Sequence, residues 1–353
     1  MKKKIAVLFG GCSPEYEVSL QSAYSVLNAM DQTRYEVIPI GITKSGDWFR
    51  YYGDYQKIAG GTWSHHAASL VPVAVSQNRT SPGLIEFTDN SSAKSYINIR
   101  LDAAFPVLHG RNGEDGTVQG LFELTGIPVV GCGVLASALC MDKDRTHKLA
   151  HAAGIAVPRS YVATGKTSME KAMFLAEEIG YPLFVKPVRA GSSFGITKVK
   201  DRDGLPAAIE LALSYDDSAI IEECISGVEI GCAVLGNDEL IVGVPDEIEL
   251  SGDFFDYSEK YTLKTSEIHV PARISAEMAE QAKKAAKTIY RALGCKGFAR
   301  VDMFLTDSGR LVFNEVNTIP GFTTHSRFPN MLKAIGMSFE QVISTAIELA
   351  VKE

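Results

Sequence analysis

Three oxygen-bearing side chains near the C-terminus have the spacing of ligands for a hard cation. Two apolar runs flank a turn at residues 307–309, and this pattern predicts a β-hairpin. Glu315 and Asn317 lie two positions apart and share one face of their strand, where Asp302 on the partner strand can join them. Carboxylate and amide oxygens suit Mg²⁺, especially Mg²⁺ that is shared with nucleotide phosphates. The alternative is an edge hairpin whose acids are solvated.

A second group of residues has the composition of a phosphate clamp. Lys186 ends an apolar run directly before a proline, and a buried ammonium there needs an anion to offset its desolvation. The glycine-rich loop at residues 191–195 follows at once, and its backbone around Ser192 and Ser193 could bind an anion. Lys143 offers a further ammonium group. The alternative is a plain turn after a surface lysine.

Two further loops follow strands and precede helices, which is where α/β folds place ligands. Glu15 closes the loop at residues 10–15 and could receive an ammonium group, or it could serve only the dipole of the next helix. His109 opens a loop with three glycines at residues 109–116 and is well placed to meet a small ligand. The strand that leads into residues 222–225 could offer backbone groups to adenine, or it could equally be a core strand.

The order of elements predicts an α/β protein. In residues 1–132, strand and helix patterns alternate, which is typical of a parallel sheet with helices on both faces. Residues 44–98 interrupt this alternation and are weakly periodic, so we predict a peripheral insertion.

Two further units are expected after the first. The unit at residues 133–226 begins with one long helix at 135–153. The unit at residues 227–353 contains the hairpin, a helix at 275–293 and a polar loop at 251–267 that we expect to be mobile.

Charge and cysteine usage exclude several classes of protein. The formal net charge of −7 argues against a nucleic-acid-binding protein, which is usually basic. No apolar run is long enough to span a membrane. The six cysteines are scattered without a Cys-x-x-Cys pair, which favours free thiols in a reducing cytoplasm.

The motifs together resemble the ATP-grasp fold and, within it, the D-alanine–D-alanine ligase family. The most specific are His-Gly-Arg-Asn-Gly-Glu-Asp-Gly at residues 109–116 and Ala-Arg-Val-Asp with Asn-Glu-Val-Asn-Thr-Ile-Pro-Gly within residues 299–321. Glu-Lys-Tyr at residues 259–261 agrees with them. The resemblance covers the chain apart from residues 44–98 and implies an ATP-grasp fold with an N-terminal Rossmann-like domain.

This resemblance implies an enzyme that uses ATP to join two D-amino acids. The γ-phosphate goes to the carboxylate of a first D-alanine, and the amine of a second substrate attacks the acyl phosphate. Two Mg²⁺ ions, for which Mn²⁺ could substitute, are implied, with the ligands Asp302, Glu315 and Asn317. Nucleotide contacts are implied for Lys143, Lys186, Ser192, Ser193, Glu222, Glu223, Ile225, Glu229, Lys260 and Asn314. Because position 223 is usually lysine in these ligases, only a backbone role is expected for Glu223.

The resemblance also implies how the first substrate and the reacting atoms are held. Glu15 should take the ammonium group of the first D-alanine, with His109 nearby. Ser192 and Tyr261 should link to Glu15 by hydrogen bonds and close a loop over the site. The oxyanion donors should be Arg300 and the N–H of Gly321.

Arg327 is the candidate for selecting the second substrate. It stands where ordinary D-alanine–D-alanine ligases usually carry Leu or Met, and the chain is most similar to the VanG type of vancomycin-resistance D-Ala–D-Ser ligases. We predict that Arg327 and Asp246, with Phe255 shaping the wall, bind the hydroxyl of D-serine. Ser326 should help to hold the acceptor carboxylate.

Other functions remain compatible with the sequence. They are a housekeeping D-alanine–D-alanine ligase, a carboxylate kinase that releases the acyl phosphate, and a nucleotide-binding module without catalysis. The family suggests a cytoplasmic homodimer that makes peptidoglycan precursors, with neither a nucleic-acid nor a membrane partner.

Overall fold

The computed structural model describes residues 2–90, 93–191, 194–250 and 266–352. In this part of the chain the main strands form three sheets, and each sheet takes its strands from one stretch of sequence. The ATP-grasp expectation of a mixed α/β fold agrees with this architecture. The division of the chain at residues 132/133 and 226/227 stays a prediction.

The N-terminal sheet is built around a strand that is apolar on both faces. Its strands are β1 (Lys3–Gly10), β2 (Tyr35–Ile42), β3 (Trp48–Tyr51), β4 (Leu70–Ser76), β5 (Gly83–Asn90), β6 (Ala93–Ile99) and β7 (Ala103–Pro106). Their order is β6-β5-β4-β3-β2-β1-β7. Residues 5–9 are fully buried because β1 lies between two parallel neighbours, β2 and β7.

The segment at residues 44–98, which we predicted to be a peripheral insertion, extends the same sheet at one edge. Strands β3 to β6 continue from β2 in an antiparallel order. Trp63 anchors the segment, since its ring is buried 5.0 Å from that of Phe9 and its Nε1 donates to Tyr16 Oη at 2.8 Å. The expected parallel sheet is therefore limited to three strands.

A second sheet, with four antiparallel strands, forms the centre of the chain. Its strands are β8 (Ser160–Thr164), β9 (Leu183–Pro187), β10 (Thr197–Val199) and β11 (Ser218–Glu223), in the order β10-β9-β11-β8. Side chains of the helices at Met169–Ile179 and Leu205–Leu213 form one core with this sheet.

The single helix predicted at 135–153 is wrong, because Asp142 divides it. The helices Val134–Met141 and Lys143–Ala152 meet at this residue, which has extended backbone angles of φ −93° and ψ 101°. Its carboxylate accepts a hydrogen bond from the Arg145 N–H at 2.9 Å, so it caps the second helix. As a result, Lys143 becomes the first residue of a helix.

The third sheet carries the predicted hairpin. Its strands are β12 (Val228–Leu235), β13 (Ile241–Val242), β14 (Asp246–Leu250), β15 (Ser266–His269), β16 (Phe298–Leu305) and β17 (Leu311–Asn317). The order is β15-β14-β12-β16-β17, with β13 paired to β12. Of the predicted polar loop 251–267, residues 251–265 lie outside the described residues, and residues 266 and 267 belong to β15.

The remaining helices complete the C-terminal part. The helix Ala276–Ala292 matches the one predicted at 275–293 closely, whereas the short helix Arg327–Lys333 was not predicted, and the helix Phe339–Val351 ends the fold. An aromatic cluster joins the first and third sheets, since Phe298 packs 6.1 Å from Phe105 and 5.0 Å from Phe322 between ring centroids. Among the helices of the described residues, none is long and apolar enough to cross a membrane.

Candidate active site

One transverse row of residues crosses four strands of the third sheet. Gly231 on β12 pairs with Asp246 on β14 and with Asp302 on β16. Asp302 in turn pairs with Glu315 on β17, and a register shift follows directly after this pair. Because paired residues project to the same face, the hairpin acids lie side by side as the sequence predicts. The glycine leaves space between the two aspartates of the row.

Among the predicted metal ligands, Asp302 is a buried carboxylate with several hydrogen-bond donors around it. Asp302 is 1% exposed and accepts hydrogen bonds from Arg300, from Nε at 2.8 Å and from Nη2 at 2.7 Å. Asn317 Nδ2 donates to Asp302 Oδ2 at 2.9 Å. Two carboxylates and an amide on one hairpin face form a donor set that fits Mg²⁺. The same contacts bring Arg300, an expected oxyanion donor, to the metal candidates.

Arg327 lies in a cluster of buried acids beside this hairpin. Its Nε and Nη2 donate to the two oxygens of Asp246 at 2.7 and 2.8 Å, and its Nη1 donates to Glu229 Oε1 at 2.8 Å. Its Nη2 lies 3.6 Å from Asp302 Oδ1. Burial opposes the charge on the guanidinium, but the neighbouring acids, Asp246 first, outweigh it and raise the pKa of Arg327. The structure thus brings together Arg327 and Asp246, and it places the Glu229 carboxylate against Arg327.

The two predicted phosphate lysines lie in the central part of the chain. Lys186 forms a buried ion pair with Glu222, and Lys143 Nζ donates to the Ala190 carbonyl at 2.7 Å, at the start of the glycine-serine loop. Glu222 Oε2 is buried without a hydrogen-bond partner among the described residues. A buried acceptor without a donor fits a pocket whose ligand supplies one. The two ammonium groups and the unpartnered acceptor are therefore groups that could bind a nucleotide.

A histidine that the sequence analysis missed lies among these groups. His147 Nε2 donates to the Asn314 carbonyl at 3.0 Å, and its buried Nδ1 has no partner within the described chain. Burial lowers the pKa of His147, so the ring is neutral at pH 7. Its position four residues after Lys143 on one helix was the available signal, because such residues share a face.

At the end of β11, both the side chain and the backbone N–H of Glu223 are bonded to Arg159. The Glu223 carboxylate accepts from the Arg159 side chain at 3.2 Å, and the Glu223 N–H donates to the Arg159 carbonyl at 2.9 Å. Ile225 follows in a half-buried position. The Glu223 N–H is thus already paired with Arg159, and the backbone role expected for Glu223 stays a prediction.

Glu15 and His109 lie together at the C-terminal edge of the first sheet. Glu15 is buried, and a Cβ added to Gly110 would lie only 2.3 Å from its Oε2. His109 Nδ1 donates to the Ile319 carbonyl at 2.9 Å, and its Nε2 lies 3.1 Å from Ser22 Oγ. Burial lowers the pKa of His109, so Nε2 accepts this hydrogen bond.

Glu114 is a second residue that the sequence analysis left without a role. Its Oε2 accepts from the Gly110 N–H at 2.8 Å and its Oε1 from the Ile319 N–H at 3.1 Å. Burial, with the nearby charge of Glu15, raises the pKa of Glu114 to about 8. Its fixed place in the 109–116 motif was the signal that could have found it.

Of the remaining predicted site residues, Gly321 and Ser326 lie in the described part of the chain. A Cβ on Gly321 would lie 2.9 Å from Ser326 Oγ, so these two residues are in contact. Ser326 Oγ also accepts from the Thr323 N–H at 3.1 Å. Five predicted site residues lie outside the described residues: Ser192, Ser193, Phe255, Lys260 and Tyr261.

Comparisons with known proteins find similar proteins along the whole chain. A family model described as "D-ala D-ala ligase N-terminus" matches residues 4–132, and one described as "D-ala D-ala ligase C-terminus" matches residues 149–348. A D-alanine–D-alanine ligase of Caldicellulosiruptor bescii is 46% identical, with 100% of this chain and 96% of that protein covered. The vancomycin C-type resistance protein VanC1 of Enterococcus gallinarum is 43% identical, with 99% and 98% covered.

A solved structure extends this agreement to three dimensions. The VanG D-Ala:D-Ser ligase from Enterococcus faecalis is 58% identical and superposes with a TM-score of 0.92, covering 99% of this chain and 100% of that one. These matches confirm the ATP-grasp fold that the motifs implied. The chain belongs to the D-alanine–D-alanine ligase family and is a ligase of a family that uses ATP and metal ions.

Proposed function

We propose that this ligase joins D-alanine to D-serine through a D-alanyl phosphate, for peptidoglycan precursors that confer vancomycin resistance. The observation that carries the proposal is the ion pair between Arg327 and Asp246, in which the aspartate is 0% exposed. A charged corner beside the candidate metal ligands suits an acceptor with a hydroxyl better than one with a methyl group. The likeness to VanG, which is described as a D-Ala:D-Ser ligase, supports the same substrate.

Phosphoryl transfer to the first D-alanine mainly needs positioning and neutralisation of charge. We assign Lys143 and Lys186 to the phosphates and the candidate hairpin ligands to Mg²⁺. When bound there, Mg²⁺ would supply positive charge at the transferring phosphoryl group. Glu15 would hold the ammonium group of the first D-alanine, since it is a buried carboxylate at the end of the loop that follows β1.

Acyl transfer creates an oxyanion, for which two donors are proposed. The hydrogen bonds between Arg300 and Asp302 hold the guanidinium next to the metal candidates. Gly321 would offer its N–H from the segment that follows the hairpin. Removing one such donor typically lowers the rate about 10²–10³-fold.

The acceptor hydroxyl would meet the guanidinium of Arg327. Three of its five N–H groups donate to Asp246 and Glu229. We assign a remaining N–H to the hydroxyl of D-serine, with Ser326 near the acceptor carboxylate. D-alanine has no group for this donor and would leave it unpaired.

The same-class rival is a housekeeping D-alanine–D-alanine ligase. The 46% identity to the ligase of Caldicellulosiruptor bescii supports it. The rival predicts that D-alanine is the better second substrate and that Arg327 has only a structural role.

The test must keep Asp246 from becoming a buried, unpaired charge. Arg327→Leu alone would leave that carboxylate without its partner, which typically costs about 3–5 kcal/mol. We therefore choose Arg327→Leu combined with Asp246→Asn and measure kcat/KM for D-serine, D-alanine and D-lactate as second substrates. The ratio of D-serine to D-alanine should fall by at least about tenfold.

A matched control removes a similar ion pair from another sheet. Arg50 Nη1 lies 2.7 Å from Glu86 Oε1, and both side chains are largely buried. Arg50→Leu with Glu86→Gln should change stability but not the substrate ratio. An unchanged ratio in the Arg327 double variant would refute the role of this pair.

We also propose two Mg²⁺ ions, for which Mn²⁺ could substitute, and a homodimer in the cytoplasm. Metal titration of activity tests the first, and sedimentation analysis of the purified protein tests the second. Both proposals rest on the family rather than on contacts of this chain.

A further inference from the structure

The peptide of Ile319 is held on both of its hydrogen-bonding groups by one loop of the N-terminal sheet. Its N–H donates to Glu114 Oε1 at 3.1 Å, and its carbonyl accepts from His109 Nδ1 at 2.9 Å. Glu114 is also fixed to its own loop, since Oε2 accepts from the Gly110 N–H at 2.8 Å. The two contacts to the Ile319 peptide join residues that are 205 and 210 positions apart in the chain.

The other side of Gly321 is held from the same sheet. The Phe322 N–H donates to Ser22 Oγ at 3.3 Å, and Ser22 Oγ in turn bonds His109 Nε2 at 3.1 Å. Gly321 therefore lies between two residues whose backbones are tied to the N-terminal unit. Pro320, between Ile319 and Gly321, has a fixed φ that transmits the orientation of one peptide to the next.

The chemistry of Glu114 favours a positioning role. A buried carboxyl close to another acid is costly, and here its two oxygens both accept from backbone N–H groups. An amide in its place would offer only one acceptor, so one of these N–H groups would face a donor. The position of the Ile319 peptide would then change.

We propose that Glu114 is a positioning residue that, with His109 and Ser22, fixes the Gly321 N–H as an oxyanion donor in acyl transfer. This inference rests on the proposed function, because it refines the second half-reaction. Binding of ATP and formation of the acyl phosphate do not require this N–H. Loss of the contacts made by Glu114, His109 and Ser22 should therefore slow acyl transfer but not the formation of the acyl phosphate.

The experiment measures each half-reaction in the full-length enzyme. Exchange of ¹⁸O between the bridging and non-bridging positions of ATP reports reversible formation of the acyl phosphate with D-alanine, before D-serine is added. Dipeptide formation after adding D-serine reports acyl transfer. In Glu114→Gln, dipeptide formation should fall about 10²-fold, as expected for a misplaced donor, while exchange stays within about threefold of wild type.

Asp115→Asn is the matched control, because Asp115 accepts from Asn112 and Thr117 N–H groups within its own loop at 2.8 and 3.0 Å. It should leave both half-reactions unchanged. Ser22→Ala removes only one hydroxyl and should show the same selective loss in smaller degree, so it decides the matter if Glu114→Gln does not fold.

The outcomes distinguish the two proposals. Wild-type protein without D-alanine-dependent exchange would refute the proposed function. If the wild-type enzyme ligates its substrates, two results would overturn only the positioning role. One is that Glu114→Gln and Ser22→Ala each slow both half-reactions equally. The other is that neither variant slows any half-reaction.

Discussion

Buried acids at this site are compensated by neighbours on the same strand and on other elements. Asp302 has Arg300 and Asn317, and Asp246 has Arg327 and the Gly231 N–H at 3.1 Å. Each contact offsets part of the desolvation that burial imposes on a charge. Single substitutions in this network therefore combine a chemical effect with an unpaired charge, and paired variants separate the two.

Glu114 predicts a pH dependence of stability. Its pKa is raised from 4.5 to about 8 by burial and by the charges of Glu15 and Glu315. Between these pH values the folded state holds a proton that the unfolded state has lost, so stability falls as the pH rises through this window and levels off above it. Urea unfolding at pH 5.5 and pH 8 should show a larger decrease for wild type than for Glu114→Gln. Equal decreases would contradict the raised pKa.

Residue types identified most of the candidate site, but not the contacts made through backbone groups. Asp302, Glu315 and Arg327 could be predicted because their types suit cations, phosphates and carboxylates. Glu114 and His147 were missed because each acts on a peptide that lies 205 or 167 residues away in the chain. Local patterns carry no information on such pairs.

At the scale of elements, Gly231 on β12 leaves room for the ion pair between Arg327 and Asp246, beside which we propose that the acceptor binds. A Cβ on Gly231 would lie 2.4 Å from both Arg327 Nη2 and Asp246 Oδ1. Alanine is tolerated by strand backbone, so the strain would fall on this ion pair rather than on the sheet.

Gly231→Ala should therefore lower kcat/KM for D-serine by at least about tenfold, on the scale of a misplaced substrate contact. Steady-state kinetics with both acceptors measures this. Gly120→Ala is the control, since its Cβ would have an ordinary contact of 3.8 Å with Val134. Wild-type kinetics in Gly231→Ala would show that the ion pair between Arg327 and Asp246 does not position the acceptor.

Element prediction succeeded where periodicity was strong and failed where one residue overrode it. The hairpin and the helix Ala276–Ala292 follow from their patterns. Asp142 ended a helix within a segment that we predicted as one continuous helix, because its side chain caps the next one. Strands β3 to β6 were missed, because the weak periodicity of residues 44–98 was interpreted as an insertion.

At the scale of the whole molecule, the first and third sheets share one core. Residues of β1, β7, β12 and the helix Phe339–Val351 pack in the same cluster, together with Phe298, Phe322 and Phe328. This core places the 109–116 loop against the segment after the hairpin. The substrate candidates Glu15 and His109 thereby meet the oxyanion and acceptor candidates across the junction of two units.

The most direct test of the central proposal is phosphate release from ATP with D-alanine alone, followed by addition of D-serine, with the product identified by mass. Slow release with D-alanine, faster release with D-serine, and D-Ala–D-Ser as the main product when both acceptors compete are the predicted results. Release that D-serine does not accelerate, with D-Ala–D-Ala as the main product, would contradict the assignment of D-serine as the second substrate.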